Sequence, residues 1–163
     1  MNTRRSVAAV VLAVVGALLL ALPASGVTTA GGTSGDEPLA TLKAVLTGEK
    51  EVPGPGDPDG SGTAVVKVFE AKLCYTLRVE DIQLRKLAAH IHLGLRDEAG
   101  PVVATLEPPT GGSSSDCLRA GEGDLTRALL LELREHPFRY YVNVHNERFP
   151  DGAIRGQLFR PAT

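Results

Sequence analysis

The chain has 163 residues, 43% of them hydrophobic, and a formal net charge of −2. That length suits one domain with a core of its own. The mildly acidic balance, without a basic face, excludes a nucleic-acid partner.

The N-terminus reads as an export signal. Arg4 and Arg5 precede an apolar run from Val7 to Leu22, and Pro23 ends it. The run is short for a membrane span, and the small residues Ala24-Ser25-Gly26 follow it, the pattern a signal peptidase accepts. Residues 1–26 are therefore expected to be a cleaved signal peptide, with a cut after Ala30 as the alternative. No later apolar run is long enough to cross a membrane once the signal is removed. Residues 27–38 are rich in Gly, Thr and Ser, without an apolar period, and read as a flexible leader.

The folded domain is expected over 39–160. Ala40 to Thr47 alternates loosely as a strand. Glu51 to Gly62 is a loop, because its Pro and Gly content forbids a regular ladder. Ala64 to Phe69 and Lys72 to Val79 form a hairpin joined near Glu70-Ala71. Strands follow at Leu87 to Leu93 and Pro101 to Leu106, with a turn at Asp97 to Gly100. Pro108 to Gly123 reads as a long Gly/Ser loop. Asp124 to Glu135 is the one helical candidate, capped by Asp124, with Leu125, Ala128, Leu129 and Leu133 at helical spacing; a strand is the competing reading. Arg139 to His145, a turn at Asn146 to Gly152, and Ala153 to Phe159 complete the chain. About seven short strands with frequent turn signals predict an all-β fold, a Greek-key β-sandwich or small barrel, with at most one short helix near 124–135.

Cys74 and Cys117 are the only cysteines. An even count in an exported chain predicts a disulfide between them, which would stabilise the fold by about 4 kcal/mol in the chain-entropy model.

Three of the four histidines fall on predicted strands. His90 and His92 are two apart, so on a strand they point the same way, about 6.5–7 Å between Cα atoms. Ala89 and Ile91 then face the core. On the later strand Tyr140, Val142 and Val144 face in, while Tyr141, Asn143 and His145 face out. If the two strands are neighbours, three imidazoles share one solvent-facing patch. Three neutral imidazoles suit Zn or Cu, with a further position left for water. Asn143 and Arg155 are candidates to orient those rings or balance charge. Solvated surface imidazoles, or rings that only tie down loops, are the competing reading. For Arg155 alone, a surface pair with Asp151 or Glu147 is the default expectation. His136 ends the helical candidate, where a cation suits the helix dipole.

The ordered segments LTGEKEVPG (46–54), GTAVVKVF (62–69), LCYTLRVEDI (73–82), AAHIHLG (88–94) and YYVNVHNERFPDGAIRGQL (140–158) resemble the CHRD domain of chordin and of exported bacterial proteins. The likeness covers about residues 39–160. Glu51, His90, His92, Asn143, His145, Gly152, Arg155 and Gly156 coincide with the family pattern. The resemblance implies an extracellular β-sandwich module, a kind that in chordin belongs to a protein binding growth-factor ligands; the partner expected here is an extracellular protein or a small ligand. A fainter likeness, H-x-H plus a distant strand-borne His on a sandwich, is to the copper half of Cu/Zn superoxide dismutase, though a bridging His and a zinc loop are missing. The leading expectation is a secreted, non-enzymatic binding module with a three-histidine Cu or Zn site. The alternatives are a copper-dependent, superoxide dismutase-like redox enzyme, with Arg155 drawing in an anion, and a purely structural or adhesive domain.

Overall fold

The structure, a computed structural model, describes residues 37–162. The expected signal peptide and nearly all of the leader lie outside them.

Eight strands form one antiparallel sheet: β1 (Ala40–Thr47), β2 (Ser61–Val68), β3 (Lys72–Glu80), β4 (Ala88–Leu93), β5 (Val102–Leu106), β6 (Ser113–Arg119), β7 (Tyr140–His145) and β8 (Ile154–Gln157). Their order is β5-β4-β7-β8-β1-β2-β3-β6. The sheet curls into a nearly closed barrel, which brings its two edges together. At that seam the Ser114 hydroxyl donates to the Glu107 carbonyl at 2.7 Å, and the Tyr75 hydroxyl accepts from the Glu107 N–H. β5 and β6 share no backbone ladder, so the barrel is bridged at this seam by side chains rather than fully closed.

The interior follows the period of two. Leu42, Leu46, Val66, Val68, Leu73, Leu77, Ile91, Val142, Val144, Ile154 and Leu158 are essentially inaccessible and form one cluster. Each such side chain contributes about 1.5–3 kcal/mol by leaving water. The expected hairpin is β2–β3, in register from Ser61↔Glu80 to Val68↔Leu73.

Two expectations need correction. The stretch 108–123 is not simply a loop, because Ser113–Arg119 pairs with β3 along its whole length. Its sequence, SSSDCLR, has no apolar alternation because nearly all of it is exposed. Backbone hydrogen bonds and the Cys74–Cys117 disulfide hold it, the two cysteines lying directly opposite in the register. The helix α1 spans Arg127–Glu135, and Thr126 caps it rather than Asp124: the Thr126 hydroxyl accepts from the Leu129 N–H at 3.0 Å. Its buried face is Leu130 and Leu133, with Leu125 joining the core from the preceding turn. His136 is the C-cap, at the expected end.

Candidate metal centre

β4, β7 and β8 lie side by side, so the supposition that the two histidine-bearing strands are neighbours holds. The register pairs Ala88 with His145, His90 with Asn143 and His92 with Tyr141. It continues from Asn143 to Arg155 on β8, and from Arg155 to Thr47 on β1. A single cross-strand row therefore runs His90–Asn143–Arg155–Thr47 on the barrel's outer face. Strand parity put all these side chains on the side away from Ile91, Val142 and Ile154, as the alternation predicts.

That face is not open to solvent, and here the sequence expectation fails. Asn143 is 3% exposed, His92 8% and Arg155 only 1%. His90 and His145 are half-buried. Loops roof the patch. The 48–60 loop is tied down by Asp57, whose N–H donates to the Ala153 carbonyl at 2.8 Å, and by Gly56 N–H to the Gly48 carbonyl at 2.9 Å. The 94–101 loop hangs on side chains from the sheet: the Arg155 Nη2 donates to the carbonyls of Leu95 (2.7 Å) and Glu98 (2.8 Å), and Gln157 Nε2 to that of Gly94 (2.9 Å). The 146–152 turn is built on Asn146, whose Oδ1 accepts from the N–H groups of Arg148 and Phe149.

Arg155 is thus not a surface ion pair. Glu147 pairs instead with Arg85 and Lys86. The Arg155 guanidinium sits over the Tyr141 ring, 3.4 Å from its centroid. Two carbonyls bonded to Nη2 and an aromatic face offset part of its loss of water, while Nη1 has no hydrogen-bond partner. With its guanidinium held beneath the 94–101 loop, Arg155 is not placed to draw an anion in from solution.

The three imidazoles come together. Ring centroids are 5.5 Å apart for His90–His92, 5.2 Å for His90–His145 and 6.1 Å for His92–His145. One nitrogen from each lies within 4.8 Å of the others. His92 Nδ1 donates to the Gly100 carbonyl and His145 Nδ1 to the Pro150 carbonyl, both at 2.9 Å. Those bonds fix the tautomer, leaving each Nε2 as a lone-pair donor. Both Nε2 atoms, and Nδ1 of His90, are buried without a hydrogen-bond partner. Burial, then the nearby His145 and His92 rings, lower the His90 pKa to about 4. Burial likewise lowers those of His92 and His145, against the pull of their carbonyl partners. All three rings are therefore neutral at neutral pH, the protonation state metal binding requires.

Two further participants, Tyr141 and Glu51, were noted in the sequence but given no role at the site. Tyr141 stacks flat on His92, and its hydroxyl accepts from the Gly100 N–H at 3.1 Å. Its shared parity with Asn143 and His145 was the available signal. Glu51 is 5% exposed and accepts from the Asn143 amide. Burial raises its pKa to about 7, against the opposing effects of Asn143 and Arg155. Its loop carries no periodicity that would place it. Gly152, at φ +147°, lies against this carboxylate, and a Cβ there would collide with it. Gly156 lets β8 approach β1, where a Cβ would meet the Val45 backbone.

The family model for the CHRD domain matches residues 42–158. Neither the comparison with curated proteins nor that with solved structures returned a match. Among the described residues no helix is long and apolar enough to cross a membrane.

Proposed function

We propose, on the premise that this chain belongs to the CHRD-domain family, that it is an exported binding module holding a copper or zinc ion through His90, His92 and His145. The observation that carries this reading is the set of three unpartnered, buried imidazole nitrogens on rings that converge within 4.8 Å. Other buried polar atoms here also lack partners, but only these three are imidazole nitrogens aimed at one another. Zinc–nitrogen bonds of about 2.0–2.1 Å place tetrahedral ligands about 3.3 Å apart, a separation within reach of modest ring rotation. Tyr141 braces His92, and the Gly100 and Pro150 carbonyls hold the Nδ1 atoms of His92 and His145. These contacts orient the rings. The disulfide and the signal-like N-terminus support export, and the partner expected is an extracellular protein or a small ligand.

Metal analysis of the purified protein tests the site. The wild type is expected to carry about one equivalent of copper or zinc per chain, and His92→Ala close to none. Equal and negligible metal in both would remove the reading.

A further inference from the structure

The ion that such a centre accepts depends on how much positive charge its surroundings can offset. We propose, resting on the three-histidine reading above, that the centre selects monovalent cuprous copper over divalent zinc.

Among the described residues the donor group consists of three imidazoles, with no carboxylate and no thiolate. Both cysteines are committed to the disulfide that joins β3 to β6. Neutral ligands leave the whole charge of the ion in place, one unit for a cuprous ion and two for zinc. The site is roofed, with His92 buried and the other two rings half-buried. The cost of holding a charge away from water grows as its square, so a dication pays about four times the desolvation of a monocation of similar size.

Nearby charges do not repair the difference. Arg155 is buried one tyrosine ring away from His92 and adds a positive field. Asp151 acts on His145 from an exposed turn, where water screens it. The Glu51 carboxyl is engaged by Asn143 and faces Arg155 rather than the imidazoles. Coordination number points the same way. Zinc in proteins takes four ligands and would need one from outside the chain, whereas cuprous copper is satisfied by fewer.

The test uses the full chain, without oxygen and with reductant for copper, in competition against a cuprous chelator and separately a zinc chelator. Wild type is expected to bind Cu(I) at least about 1,000-fold more tightly than Zn(II). Ala88 lies opposite His145 on the same outer face as His90 and is only half-buried. Ala88→Asp therefore adds the missing negative charge. The added charge acts twice as strongly on a dication as on a monocation, so it is expected to tighten Zn(II) about tenfold and Cu(I) about threefold. Zinc bound as tightly as copper by the wild type, or a metal ratio unmoved by Ala88→Asp, would overturn the proposal while leaving a three-histidine site standing. Binding of neither metal, or binding unaffected by His92→Ala, would remove the site itself.

Discussion

The His92 imidazole lies flat against the Tyr141 phenol, centroids 4.7 Å apart and planes 9° from parallel. The other side of the same stack is the Arg155 guanidinium. Three side chains from three adjacent strands thus form one column, and each loses its support if the middle one goes. Tyr141→Leu is expected to lower metal affinity about tenfold and stability by about 2 kcal/mol. Tyr141→Phe keeps the stack and loses only the hydrogen bond from Gly100, so it should cost about 1 kcal/mol. Urea denaturation and chelator competition on the two variants separate these effects.

Arg155 is expected to be the most sensitive polar position for stability. Arg155→Met removes both charge-assisted bonds to the 94–101 loop carbonyls, at a cost of about 3 kcal/mol. Arg155→Lys should restore little, because a point cation does not reproduce the planar two-sided fit to carbonyls and ring. Hydrogen exchange in the 94–101 loop is the direct readout: amides there should exchange faster in both variants.

Glu51 gives the fold a pH signature. Its folded pKa, about 7, stands above the ordinary value of 4.5. Between those values the folded state holds a proton that the unfolded chain has lost, so stability falls as pH rises through the window. The metal-free histidines act oppositely: with His90 at about 4, the unfolded chain takes up protons first, and stability falls as pH drops below about 6.5. The Glu51 contribution is isolated by subtraction. Relative to wild type, Glu51→Gln should gain roughly 2–3 kcal/mol between pH 4.5 and pH 8. A stability difference constant over that range would contradict it.

The disulfide closes a separation of 43 residues and anchors the edge strand β6 to β3. Replacing both cysteines by serine is expected to cost about 2–4 kcal/mol. The loss should show first as faster amide exchange in β6, with the β4–β7–β8 face unchanged until global unfolding. Scanning calorimetry with and without reductant provides the same comparison on the wild-type chain.

Much of the candidate centre was legible because strand parity is a strict rule. Reading His90, His92, Asn143, His145 and Arg155 as outward-facing needed only the apolar alternation of Ile91, Val142, Val144 and Ile154. What parity cannot report is whether an outward face meets water. The roof comes from the 48–60 and 94–101 segments, whose Pro, Gly and polar residues carry no period and whose positions are set by distant partners such as Ala153 and Arg155. Arg155 was misjudged for the same reason: its charge argued for the surface, and its compensation by Leu95, Glu98 and Tyr141 is visible only in three dimensions. β6 was missed because a strand held by backbone bonds and one cross-link needs no apolar pattern.

The roofed outer face divides the labour along β4 and β7 residue by residue. Neighbours in the chain answer to different demands: Ile91, Val142 and Val144 to the oily interior, His90, His92, Tyr141, Asn143 and His145 to whatever the roof encloses. A complete substitution scan along either strand should therefore yield two interleaved profiles, one read in folding yield and the other in ligand retention. Tyr141, whose ring bridges His92 and Arg155, should register in both profiles.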